Sequence, residues 1–155
     1  MDAYTALKIA HVLSSTLLLG TGLGIAFFMW RADRGGDPRV IAAVAANVVL
    51  ADTVFTLPAV VVQPATGFAM VAIAGLDLGA AWLRWAIALY LLAGACWLPV
   101  VWLQWRMWRL ARAAVERAEP LPDAYHRAMR WWFALGWPAF GAVVVTFWLM
   151  VAKPG

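Results

Sequence analysis

Apolar residues are grouped into four long runs, at about residues 4–30, 40–74, 80–111 and 129–152. A helix needs roughly 20 residues to cross the hydrocarbon core of a bilayer, which is about 30 Å thick, so each run is long enough to span it. No stretch alternates apolar and polar residues as a strand does. The pattern predicts an all-α fold: one transmembrane domain over residues 1–155, built as a four-helix bundle.

The second run is too long for one simple crossing, and it contains Pro58 and Pro64. Each proline removes a backbone donor and crowds the preceding turn. With Gly67 close behind, we predict a helix from about residue 40 to 62, a break at Gln63–Gly67 and a short helix to about residue 75. The alternative is a long tilted helix that is only kinked at the prolines.

The composition also favours a membrane protein, because 65% of the residues are hydrophobic and only 13% are charged. A domain of this size cannot hide so much apolar surface in its own core, and we expect the lipid bilayer to cover the rest. Most arginines lie in the first and third connecting segments, which favours a cytoplasmic position for these segments and both termini outside. Because basic residues that flank apolar runs are typical of membrane proteins, we expect no nucleic-acid partner.

The first run carries a polar stripe at helical spacing. Tyr4, Lys8, His11 and Ser15 share one face, which continues through smaller and apolar residues to Met29. Lipid does not tolerate such a face cheaply, so we expect it to point into the bundle. Lys8 is close enough to the outer end to extend its ammonium to the interface, whereas His11 lies about a turn deeper.

A second polar stripe lies on the second run, where Asp52, Thr56 and Gln63 share one face if the predicted break is ignored. Asp52 falls near the middle of the bilayer, and an intramembrane carboxylate is a functional-site hypothesis by default. The alternative is a structural hydrogen bond from Asp52 to a neighbouring helix. Arg84, at the outer start of the third run, is expected to reach the level of His11, Lys8 and Gln63.

One buried histidine with cationic neighbours is a candidate site for b-type haem. His11 would be the axial metal ligand, and Lys8 and Arg84 would pair with the propionates. Gln63 and Asp52 would tune the site by hydrogen bonding. The second axial position is left open between none, Met70 and His11 of another protomer. The alternative is a structural histidine whose ring nitrogens form hydrogen bonds with serine, aspartate or backbone groups.

Two segments carry a resemblance to a known family. KIAHVLSSTLLLGTGLGIAFFMW, followed by ADTVFTLPAVVVQPATGFAM, resembles a bacterial family of predicted integral membrane proteins, domain of unknown function family 2269. The first segment is also similar to the first helix of HemJ-type protoporphyrinogen oxidases, which bind haem b through its histidine. Only Lys8 and His11 carry over, because FFMWRADR lacks the Pro-Arg pair and second histidine of that family. The resemblance implies a haem or porphyrin site in the bacterial inner membrane.

These observations lead to three competing functional hypotheses. The first is a haem-b membrane protein with an electron-transfer or porphyrin-linked redox role, and whether it is an enzyme is left open. The second is a non-catalytic accessory or scaffolding subunit, in which Gly20 and Gly24 form a GxxxG contact within the chain, in a homodimer or in a larger complex. The third is a small ion, metal or solute transporter that uses Asp52.

Overall fold

The computed structural model describes residues 2–154, and these residues form helices and short connections without strands. The α-helices are α1 (Ala3–Gly35), α2 (Pro38–Ala51), α3 (Leu57–Ala74), α4 (Ala81–Arg117) and α5 (Asp123–Ala152), and a π-helical segment, Asp52–Thr56, joins α2 to α3. Four continuous spans, Ala3–Gly35, Pro38–Ala74, Ala81–Arg117 and Asp123–Ala152, are long and apolar enough to cross a membrane. The prediction of an all-α protein with four membrane spans is confirmed.

The helix ends follow local sequence signals. Asp2 caps α1, because its carboxylate accepts a hydrogen bond of 2.7 Å from the Thr5 backbone N–H. Gly36 ends α1 and Gly75 ends α3 with φ of 72° and 61°, a left-handed conformation that glycine adopts without strain. Pro38 starts α2 in the first turn, where its missing N–H costs nothing.

The second span differs from its prediction. The helix continues through Gln63–Gly67, so the predicted break there is wrong. In lipid each unpaired backbone group costs several kcal/mol, which favours keeping every hydrogen bond that Pro64 leaves. The irregularity lies earlier, at Asp52–Thr56, where the Leu57 N–H donates to the Asp52 carbonyl. Pro58 lies two residues beyond this segment, in the first turn of α3. The predicted kink at Pro58 or Pro64 stays a prediction.

All four spans meet in one core near the end of the bundle that carries the α1–α2 and α4–α5 connections, here called the inner end. The core contains Met29 and Ala32 of the first span, Ile41, Ala45 and Val48 of the second, Val100, Leu103, Met107 and Ala111 of the third, and Tyr125, Ala128, Met129 and Trp132 of the fourth. The buried Tyr125 hydroxyl donates to Asp33 Oδ1 at 3.1 Å and links α5 to α1. The principal helix pairs are α1 with α3, α2 with α4 and α4 with α5.

Large apolar side chains cover the outside of the bundle, as expected when lipid is the solvent. Leu98 is 67% exposed and Val151 is 84% exposed. The GxxxG pair also faces open space, because a Cβ atom added at Gly20 or Gly24 would meet nothing within 4 Å. The pair therefore makes no close helix contact within residues 2–154, and its role in a homodimer or larger complex stays a prediction.

Candidate functional site

The first polar site joins α1 to α3 around the His11 imidazole. The Gln63 amide nitrogen lies 2.9 Å from His11 Nε2, and Thr66 Oγ1 lies 2.9 Å from His11 Nδ1. On the other side of Gln63, its amide oxygen accepts a hydrogen bond from the buried Ser14 hydroxyl. The predicted approach of His11 and Gln63 is therefore present, and Ser14 and Thr66 complete the network.

The hydrogen-bond pattern fixes the roles of both imidazole nitrogens. Gln63 Nε2 is a donor, so His11 Nε2 must accept and the ring proton is assigned to Nδ1. Thr66 Oγ1 accepts from Nδ1–H, because its own hydrogen points to the Val62 carbonyl at 2.7 Å or the Gln63 carbonyl at 3.1 Å. A neutral histidine with both nitrogens paired is a stable arrangement in an apolar span.

Gly67 determines how closely the imidazole approaches α3. A Cβ atom at this position would lie 3.2 Å from His11 Cε1, which is closer than side chains normally pack, and 3.7 Å from Nδ1, an ordinary contact. The absence of a side chain lets the ring lie against the α3 backbone, between Gln63 and Thr66. The hydrogen-bond network and this close approach together stabilise the contact between α1 and α3.

The arrangement bears directly on the expected haem site. As placed, His11 offers no free nitrogen to an iron atom, since binding requires the ring to release Gln63 or Thr66. Lys8 and Arg84 have exposed side chains and form no hydrogen bond or salt bridge among residues 2–154. The residues in this arrangement do not fit haem, and His11 ligation with Lys8 and Arg84 as propionate partners stays a prediction from sequence.

The second polar site lies around Asp52, at the start of the π segment and beside α4. Asp52, Thr56 and Gln104 are buried, with 4%, 6% and 1% exposure. Thr56, Gln104 and Trp97 surround the Asp52 carboxyl group. In the described part of the chain, no hydrogen-bond partner is found for Asp52 Oδ2, Thr56 Oγ1, Trp97 Nε1 or either polar atom of the Gln104 amide. Asp52 therefore has three possible hydrogen-bond partners beside it, two of them on α4, and the structural role expected for it stays a prediction.

A cleft adjoins this cluster, here called the Asp52 cleft. Its volume is about 480 Å³, and it lies between the second span and α4. Val49, Thr53, Leu57, Trp97, Leu98, Val101, Trp102 and Trp105 line it together with Asp52 and Gln104. Several of these side chains, including Leu57 and Leu98, are exposed on the surface that the apolar spans present to lipid. An apolar, aromatic cleft with a few polar groups is the usual form of a small-molecule site.

Comparison with known proteins places the chain in a family. The model of the predicted integral membrane protein family DUF2269 matches residues 5–154. The chain belongs to this family. No curated protein and no solved structure gives a significant match. The membership confirms the resemblance to family 2269 seen in the sequence, and it supports a multi-pass protein of the lipid bilayer.

In this DUF2269 protein, sequence reasoning found His11 and Gln63 of the first site and Asp52 and Thr56 of the second. It missed the other members of both sites, which are Ser14, Thr66, Trp97 and Gln104. His11 and Asp52 were recognisable because ionisable residues are rare in apolar runs. Ser14 and Thr66 have small hydroxyl side chains that gave no comparable signal, and Gln104 lies in the Trp- and Arg-rich stretch WLQWRMWR, which was assigned to the membrane interface. Within residues 2–154 no three His, Cys, Asp or Glu side chains converge, and neither site has the ligand set of a multidentate transition-metal centre.

Proposed function

We propose that this membrane protein binds a lipid-soluble small molecule of the quinone or quinol class in the Asp52 cleft. The observation that carries the proposal is the set of buried, unpaired polar atoms at the side of a lipid-facing aromatic cleft. Burying polar groups without partners costs about 1–3 kcal/mol each. A ligand bound in the adjoining cleft would supply the missing hydrogen bonds and remove this cost.

The chemistry of the cluster matches a planar head group that both donates and accepts. Trp97 Nε1–H and the Gln104 amide N–H donate, and quinone carbonyl oxygens accept. Asp52 Oδ2 and Gln104 Oε1 accept, and quinol hydroxyl groups donate. The tryptophan faces suit an aromatic ring, and the exposed Leu57 and Leu98 side chains suit an alkyl tail in the surrounding lipid.

The π segment supports the same site. π-Helical turns inside α-helices occur frequently at functional sites, and this one begins at Asp52 and ends at Thr56. Asp52, its first residue, lies beside Gln104 and Trp97 of α4, and Thr56 lies one turn further along.

The test is tryptophan fluorescence of the detergent-solubilised protein during titration with decylubiquinone, a short-chain quinone, since three tryptophans line the cleft. We expect saturable quenching, and in Gln104→Leu an affinity lowered about tenfold, as for the loss of about 1.4 kcal/mol of hydrogen bonding. The same substitution removes two unpaired buried atoms, so stability is unchanged or higher. Weaker binding without loss of stability separates a ligand contact from a folding defect. Non-saturable quenching, or equal affinity in both proteins, would contradict the proposal.

The transport hypothesis remains the second candidate, because Asp52 places a carboxyl group inside an apolar span and forms no salt bridge within residues 2–154. Cation or proton flux into proteoliposomes that is lost in Asp52→Asn but kept in Asp77→Asn would favour it. Asp77 is a suitable control, because it lies exposed in the connection between α3 and α4.

Haem binding by His11 predicts a Soret band that disappears in His11→Ala. Since His11 and Asp52 lie in different polar clusters, the spectrum and the quinone titration test separate sites. A scaffolding role without a ligand predicts negative results in these binding and flux experiments and co-purification with a larger membrane complex.

A further inference from the structure

A second groove, here called the Arg groove, runs between α4 and α5 at the inner end of the bundle. Its volume is about 320 Å³. Its lining residues are Pro99, Trp102, Leu103, Arg106, Ala124, Arg127, Ala128, Trp131 and Leu135. The two arginines lie at the end nearest the α4–α5 connection, and Pro99 and Leu135 lie one or more helical turns deeper into the spans. The groove therefore changes from cationic to apolar along the helix axes.

The charge of the groove has no protein counterion. Arg106 and Arg127 form no salt bridge within residues 2–154, whereas two other arginines of this region pair with Glu116 and Glu119. Asp123, one turn before Arg127, also forms none. The Arg106 guanidinium carbon lies 5.2 Å from the Trp102 ring centroid, a cation–π contact that holds the charge at the groove.

We propose that the Arg groove binds one anionic phospholipid, with its phosphate at Arg106 and Arg127 and an acyl chain along Leu103 and Leu135. Three features match this ligand. Guanidinium groups bind phosphate oxygens in a bidentate manner, tryptophans such as Trp102 and Trp131 are favoured at the headgroup level, and the deeper lining is apolar. Basic pockets between spans are known sites for acidic lipid head groups.

Native mass spectrometry of the detergent-solubilised full chain tests the proposal. Phosphatidylglycerol and phosphatidylcholine with identical acyl chains are titrated separately. Each arginine near an anionic head group contributes about 1 kcal/mol, so two arginines predict a preference of about 30-fold for phosphatidylglycerol. The double variant Arg106→Gln/Arg127→Gln is expected to lose the preference, and Arg106→Lys/Arg127→Lys to keep most of it.

Arg109→Gln is the matched control. Arg109 also lies on α4 and stacks on a tryptophan, at 4.9 Å from the Trp105 centroid, but it does not line the Arg groove. We expect it to retain the preference. Equal binding of the two lipids by the wild type, an unchanged preference in the double glutamine variant, or an equal loss in Arg109→Gln would overturn the proposal. Displacement of the lipid by inorganic phosphate would also overturn it, because free phosphate would then be the ligand.

Discussion

The hydrogen bonds between α1 and α3 give a quantitative stability prediction. Gln63→Met keeps the length and approximate volume of the side chain but removes its amide. That amide donates to His11 Nε2 and accepts from Ser14, and both hydrogen bonds cross the α1–α3 interface. The substitution therefore tests how much the network holds the two helices together.

The expected loss follows from the number of hydrogen bonds removed. Interhelical hydrogen bonds in membrane proteins contribute about 0.6 kcal/mol each on average and about 1.7 kcal/mol at most. Two are lost, so we expect unfolding free energy to fall by about 1.2 kcal/mol. Ser14 retains a hydrogen bond of 3.0 Å to the His11 carbonyl, and only the His11 nitrogen is left without a partner. A loss near the average is therefore expected rather than one near the maximum.

Reversible unfolding with sodium dodecyl sulfate, followed by circular dichroism and extrapolated linearly, measures this loss. Thr53→Val is the control, because the exposed Thr53 hydroxyl donates only within its own span, to the Val49 carbonyl at 2.8 Å. Surface substitutions of this kind change stability by about 0.5 kcal/mol or less. Wild-type stability in Gln63→Met, or an equal loss in Thr53→Val, would refute the role assigned to the network.

Three further predictions follow from other contacts. Gly67→Val should destabilise the protein by about 1–3 kcal/mol more than Gly94→Val in the same unfolding assay. The reason is that a Cβ atom at Gly67 meets the imidazole, whereas one at Gly94 meets nothing within 4 Å. Equal effects of the two substitutions would contradict the close packing. Tyr125→Phe should cost about 0.5–1.5 kcal/mol through loss of its hydrogen bond to α1, and wild-type stability would argue against that link. At the start of α1, the hydrogen bond from the Thr5 N–H lowers the pKa of Asp2 below its ordinary value. The cap is therefore fully stabilising above about pH 4, and its contribution is lost as pH falls through the lowered pKa. Hydrogen exchange at the Thr5 amide should accelerate accordingly, and a rate whose protection is unaffected by acidification would contradict this.

The positions of the spans and of the ionisable residues were predictable from sequence. Long apolar runs have one stable form in lipid, a helix, because every backbone group must be paired internally. The free-energy cost of placing an ionisable side chain in lipid also identified His11 and Asp52 from the sequence. The pairing of His11 with Gln63 also followed from counting residues inward from each end, since depth in a membrane depends directly on position along the chain.

The prolines show where such reasoning failed. A break was predicted at Pro64 and Gly67, yet the helix continues through both residues. Lipid cannot hydrogen-bond to the backbone groups that a break would free. Gly67 instead allows the close contact with His11. The irregular turn lies instead at Asp52–Thr56, before Pro58. Whether a proline breaks, kinks or widens a helix depends on the neighbouring helix, which the local sequence does not describe.

The sequence by itself therefore determined the class of protein, the number of spans and the two residues that are costly in lipid. The tertiary structure decided what surrounds them: both nitrogens of His11 are paired within the α1–α3 contact, whereas Asp52 faces the unpaired Gln104 beside an open cleft. The physical reason is that burial cost is a property of one residue, but its compensation requires donors and acceptors from another helix. Only the packing of the spans brings those groups together.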